Sequence, residues 1–231
     1  MCKKLCALLL IYLFSFNSFA RAPILFESYA FNENSNNFIG EFTDYPSGEE
    51  SFYELAWGWE NIPDQANQKG LYLAGNNHSD DLFMFLKKPI DGLTPNTEYK
   101  ITFNVKFSTN VPEGTLGTGG SPGESVYFKV GASSIEPEKI IINGSYQLTV
   151  DKGNQQTSGV NAITVGDLAN PLVDPMNPTF IQKTVTNVDS PLAVKSDQAG
   201  RVWIFLGTDS AFESLSKYYI NSITIEIMTI E

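Results

Sequence analysis

Apolar and polar residues alternate without a break from Tyr99 to Phe107, in the order Tyr-Lys-Ile-Thr-Phe-Asn-Val-Lys-Phe. A period of two places every second side chain on one face, so this stretch predicts a half-buried β-strand. Gly92-Leu93-Thr94-Pro95-Asn96-Thr97 precedes it, and Pro95 and Asn96 suit a tight reversal. Strands are also expected from Gly70 to Ala74, Leu82 to Leu86, Ser125 to Val130, Tyr146 to Val150, Val202 to Leu206 and Tyr219 to Met228. No segment of helical period and useful length follows residue 20, and Gly, Asn, Pro and Ser punctuate the chain at intervals that suit an antiparallel sandwich. Two stretches are expected as long loops: Asn110 to Glu124, rich in glycine, and Lys152 to Pro178, polar and ending in three Asx-Pro pairs.

The first twenty residues read differently. Lys3 and Lys4 open a short basic region, an apolar run covers Leu5 to Phe14, and Ser18-Phe19-Ala20 has the small-x-small form of a cleavage site. This is the grammar of a signal peptide over 1–20, leaving 21–231 as a single domain that is secreted or periplasmic. The apolar run is about half the ~20 residues a membrane-spanning helix needs, so no membrane insertion is expected. Cys2 and Cys6, the only cysteines, fall inside the removed segment, which excludes thiol catalysis and cysteine zinc sites from the mature chain.

Charge narrows the partners. The whole chain carries a formal −11, and of its 15 basic residues only 13 remain after Ala20, against 26 acidic ones. Such a surface repels phosphate backbones, so nucleic acid is excluded as a partner.

Three short pieces resemble the jelly-roll carbohydrate-binding modules of bacterial secreted proteins. They are Phe26-Glu27-Ser28, the lead-in Gly92-Leu93-Thr94-Pro95-Asn96-Thr97-Glu98-Tyr99, and Tyr218-Tyr219-Ile220-Asn221-Ser222-Ile223-Thr224-Ile225. The resemblance implies an all-β antiparallel sandwich of jelly-roll type whose first and last strands lie together. It also implies a structural calcium ion shared by Glu27 and Asn221. The stretches Gly70 to Phe85 and Gly117 to Gly131 depart from those modules.

Candidate chemistry is confined to a few places. In a strand, Tyr53, Leu55, Trp57 and Trp59 would share one face. That stripe is either core or a platform on which sugar rings stack, with Asn61 nearby as a hydroxyl partner. Asn76-Asn77-His78-Ser79-Asp80-Asp81 is the densest polar cluster. Asp80 and Asp81 suit calcium in composition, though the cluster lacks EF-hand spacing and also reads as a solvated hairpin tip. Asn77 and Glu124 are further candidates for ligand contact, the latter beside the glycine-rich loop. His78, the only histidine, reads as a loop hydrogen-bonding residue, since no serine stands in a nucleophile turn. Tyr127-Phe128-Lys129-Val130-Gly131 is similar to a strand motif of jelly-roll alginate lyases, but their arginine-rich and Gln-x-His motifs are missing, and Lys129 is read as an outward strand residue. Asp209 to Glu213 reads as an acidic connector.

The function expected from these features is non-catalytic binding of a glycan, with calcium as a structural cofactor. Two alternatives stay open: a surface component that binds an extracellular protein, and a polysaccharide-degrading enzyme using Asp80, Asp81 or Glu124.

Overall fold

The alternation over residues 99–107 becomes the central strand of one sheet. In the computed structural model, which describes residues 25–230, Tyr99, Ile101, Phe103, Val105 and Phe107 are all fully buried, and their polar neighbours point away from them.

Seventeen strands form among the described residues, which contain no α-helix. They begin with β1 (Leu25–Ala30), β2 (Ile39–Thr43), β3 (Tyr45–Pro46), β4 (Ala56–Asn61), β5 (Lys69–Asn76) and β6 (Leu82–Ile90). Next come β7 (Glu98–Thr109), β8 (Val126–Ser133), β9 (Lys139–Ile142), β10 (Ser145–Leu148), β11 (Gly153–Asn154) and β12 (Thr157–Ser158). The chain closes with β13 (Ala162–Asp167), β14 (Ile181–Thr186), β15 (Leu192–Lys195), β16 (Val202–Ser210) and β17 (Leu215–Thr229).

Two antiparallel sheets face each other. One runs β14-β7-β17-β5-β4, with β1 added beside β17 and β15 beside β7; the other runs β13-β8-β16-β6-β2. The expected β-sandwich of jelly-roll type is therefore what the chain forms. Its main core lies between the sheets, where Phe103, Phe107, Tyr218 and Ile225 meet Leu82, Met84, Phe128 and Leu206. First and last strands pair as expected, with Leu25 opposite Ile227 and Ala30 opposite Ser222. The signal peptide expected over 1–20 lies outside the described residues. Among those described, no helix is long and apolar enough to cross a membrane.

The stretch expected as a loop from Lys152 to Pro178 is not one throughout. Residues 162–167 form β13 and pair with β8 at the edge of the five-stranded sheet. Gly166 interrupts that pairing with a register shift, which weakens the periodic signal in the sequence.

The five-stranded sheet is buried on both faces. Val202, Ile204 and Leu206 of β16 face the main core. Phe205, with Phe83 and Phe85 of β6, faces the other way and packs with Val150, Ala162 and Leu148 in a second, smaller core. Residues 134–161, including β9 to β12, thus fold back as a cover over the outer face. The cover is pinned at one end by Lys87, only 3% exposed, whose ammonium lies 2.9 Å from both Glu41 and Glu136 and donates to the Pro137 carbonyl. A buried ion cluster pins the other end.

Candidate functional site

Outward-facing positions on β8 and β16 carry opposite charges under the cover. Lys129 is opposite Gly207, and Asp209 is opposite Tyr127, so the two charged residues are diagonal neighbours on adjacent strands. Both are 0% exposed, with Nζ 3.4 Å from Oδ2. Lys152, from the cover, puts its ammonium 2.7 Å from Asp209 Oδ2 and 2.9 Å from Asp44 Oδ2. The backbone N–H of Gln155 donates to Asp209 Oδ2, and the Lys129 ammonium donates to the carbonyls of Lys152 and Thr157. Asp81 completes the group: one carboxylate oxygen each from Asp44, Asp81 and Asp209 lie within 4.8 Å of one another.

Three carboxylates against two ammoniums leave a net charge of −1 in a site largely removed from water. One proton balances it, and the carboxyl group of Asp81 holds that proton. Burial, followed by the charges of Asp209 and Asp44, pushes Asp81 up to about 8. Burial also raises Asp44, with Lys152 acting against it. For Lys152 burial opposes the charge, but Asp209 and Asp44 outweigh it and the pKa is raised; for Lys129 burial wins and the pKa is lowered.

Unsatisfied polar atoms concentrate on this outer face. Thr43 Oγ1, Asp81 Oδ1 and Asp209 Oδ1 are buried without a hydrogen-bond partner among the described residues, as is Glu41 Oε2. Such atoms are rare in folded proteins, and each calls for a partner such as a bound water or ion.

The cluster opens to solvent on one side. Two adjoining hollows, of about 220 and 270 Å³, share Asp44, Asp81 and Gln147. One continues over Leu148, Asp151 and Lys152 to Asn154; the other continues past Ser79 and Ser145 to Tyr45 and Tyr146. Together they form a groove with carboxyl groups and an amide at its centre and tyrosines at one end.

Of the residues expected from the sequence to bind a ligand or a metal, only Asp81 lies at this centre. Trp57 pairs with Leu73 and Trp59 with Leu71, both core residues, so the indoles stand on the inner face of β4. Trp59 packs against the main core and its indole N–H donates to the Phe31 carbonyl at 2.6 Å, with Lys69 over its ring. Trp57 remains 38% exposed but lies across Gly40, closing the open edge between the sheets. The stripe is therefore turned toward the core, and Trp57, at the edge between the sheets, is the more exposed of the two indoles. Asn61 is exposed at the end of β4 and lines a separate shallow hollow made by residues 61–67.

Asn77 is buried. Its amide donates to the carbonyls of Ser210 and Phe212 and its oxygen accepts from the N–H of Ser79, which fixes the turn. Glu124 accepts from the Gly114 N–H at 2.6 Å and from the Ser121 hydroxyl, closing the glycine-rich loop. His78 stacks on Phe52 with ring centroids 3.9 Å apart.

The residues present do not fit calcium. Glu27 is opposite Ile225, four positions along β17 from Asn221, which is about 13 Å of strand, and Asn221 accepts from Ser108 instead. Asp80 is exposed, and its backbone carbonyl binds the Gln155 side chain. Where Asp81 does meet other carboxylates, the Lys152 ammonium already stands between Asp44 and Asp209, and a divalent ion would turn a balanced cluster positive.

Asp44, Lys152 and Asp209 were not legible as a group. Asp209 reads as a connector because two polar residues surround it, yet it belongs to β16. A lysine at an outward position beside a glycine, as in Lys129-Val130-Gly131, was the available sign that this face is covered.

No family profile matches the sequence, and no curated protein matches it. Among solved structures, carbohydrate-binding modules of β-sandwich type are similar to the chain at low overlap. One from a study of promiscuous specificity in that superfamily is 12% identical at a TM-score of 0.39, over 87% of this chain and 61% of the other. The paired modules of a Clostridium thermocellum xylanase, solved with xylohexaose, are 10% identical at 0.39, over 92% of this chain and 30% of theirs. A sugar-binding protein candidate from Bacteroides thetaiotaomicron is 11% identical at 0.39, over 81% and 87%. This chain thus spans less than two thirds of the first two. Its own pairings establish the fold.

Proposed function

We propose that this protein is an exported, non-catalytic glycan-binding protein whose site is the groove over Asp44, Asp81 and Gln147. The observation that carries the reading is the convergence of these three polar side chains beside Tyr146 in one solvent-open groove. Sugar recognition asks for fixed polar groups that match hydroxyls, next to an aromatic surface. The polar groups here are held by a rigid sheet and its pinned cover, so little ordering is needed on binding.

Retention of the protein on a panel of soluble and insoluble polysaccharides tests this. Saturable binding to one glycan class is expected, weakened at least about tenfold by Gln147→Ala, with glycan chain length unchanged. Absence of binding across the panel overturns the reading.

One observation favours a second reading, hydrolysis. Asp44 and Asp81 both line the groove, and glycoside hydrolysis needs two carboxyl groups across a cleft. Shortening of the glycan in the same assay, lost in Asp81→Asn, would establish it.

A further inference from the structure

Charge on the groove's walls is one-sided. Lys129 and Lys152 are buried beneath the cover and spent on Asp209, Asp44 and backbone carbonyls. Lys139, at the tyrosine end, donates to Tyr45 Oη and sits over the Tyr146 ring at 4.2 Å. What the groove offers a ligand is Asp44 and Asp81 at its centre, with Asp151 on the rim. Behind them lies Asp209, fully buried, with Oδ1 unpartnered, and beside them Thr43, fully buried with an unpartnered hydroxyl. Apart from the proton on Asp81, the cluster is short of one positive charge.

We infer that the groove selects an amine-bearing sugar, whose ammonium stands against Asp81 and Asp44 and supplies the positive charge that the three carboxylates and two lysines lack. The inference rests on the glycan-binding reading and narrows it to a ligand class. A single positive charge balances the site, as the proton on Asp81 does without ligand, and an ammonium carries the same charge with three donors. A neutral sugar offers hydroxyls to the groove but leaves the proton as the balancing charge. An anionic sugar meets Asp44 and Asp81 at the groove's centre.

Calorimetry with three soluble oligosaccharides of equal length and linkage separates the possibilities: a glucosamine oligomer, its N-acetylated form and a glucose oligomer. Measured at about pH 6, where amines of this kind are protonated, the glucosamine oligomer is expected to bind at least about tenfold tighter than the other two. Asp81→Asn should bring that ratio close to one, in a variant that melts as cooperatively as the parent. Equal binding of all three oligomers by the parent protein overturns the inference and leaves the glycan reading standing. A preference unchanged by Asp81→Asn and by Asp44→Asn also overturns it, because the amine then binds elsewhere. Binding of none of them, with no retention on the polysaccharide panel, overturns the glycan reading itself.

Discussion

Asp209 and Lys129 face each other diagonally across β16 and β8, both without solvent contact, and the Lys152 ammonium from the cover reaches the same carboxylate oxygen. One buried oxygen therefore ties two strands of the sheet to the segment folded over them. Removing it leaves two ammoniums and the Gln155 N–H without their shared acceptor. Asp209→Ala is expected to lower stability by about 3–5 kcal/mol, the usual cost of breaking a buried pair from one side. Denaturant unfolding measures the loss. Limited proteolysis should show cutting near residues 151–158 before the rest of the chain.

The proton on Asp81 gives stability a dependence on pH opposite to the usual acidic case. The folded state holds this proton up to about pH 8, whereas the unfolded chain releases it near the ordinary aspartate value of about 4. Between those values the folded state binds more protons, so stability is fully present at the acid end and declines as pH rises toward 8. Burial raises Asp44 in the same direction. Melting temperature followed from about pH 4 to 9 should fall across this window and level off above it. Asp81→Asn should flatten the profile; an unchanged slope would place the proton elsewhere.

The sandwich was legible because its central strands carry unbroken alternation, as in Tyr99 to Phe107, and strand period alone fixes which residues enter the core. Pairing of the first and last strands also followed from short motifs at the two ends. The site was harder to see, for a physical reason. Asp44, Lys129, Lys152 and Asp209 are far apart in sequence, and each looks like an ordinary surface charge until residues 134–161 fold over the sheet. The second core gives the same lesson. Phe83, Phe85 and Phe205 break alternation in strands whose outer face is covered, so continuous apolar runs signalled the cover without saying what formed it.

Trp57 and Gly40 form the closure at the open edge between the sheets. A Cβ placed on Gly40 would lie 2.5 Å from Cδ2 of the indole and 2.9 Å from its Cβ. An indole is rigid, so Gly40→Ala must push it outward. The expected cost is about 1–3 kcal/mol, the range for overpacking, and Trp57 should become more exposed with red-shifted fluorescence. Trp59→Ala should cost more, about 3–5 kcal/mol, because it empties part of the core and frees the Phe31 carbonyl. Glycan binding should survive in Gly40→Ala, since Gly40 and the indole meet on the inner side of the sandwich and the groove lies on the outer face of the five-stranded sheet. Loss of binding with the fold intact would return the indoles to the ligand site.

Gly131 has a comparable duty beneath the cover. It lies opposite Phe205 on β16, and a Cβ there would stand 2.6 Å from ring carbon Cε1 of that residue. The bare backbone lets the ring lie over β8, where it packs in one small core with Phe83, Phe85 and Val150. Gly131→Ala lifts the ring toward the cover, which is pinned at Lys87 on one side and at Lys152 on the other. Between fixed ends the cover has little room to follow. The expected result is a loss of about 1–3 kcal/mol, together with faster amide exchange over residues 148–158. Because Asp44, Asp81 and Gln147 share the groove with Leu148 and Val150, glycan affinity should fall in the same variant. Phe205→Leu on that background restores space above residue 131, so it should recover part of both stability and binding. Recovery of stability alone would mean that the groove does not depend on how the cover sits.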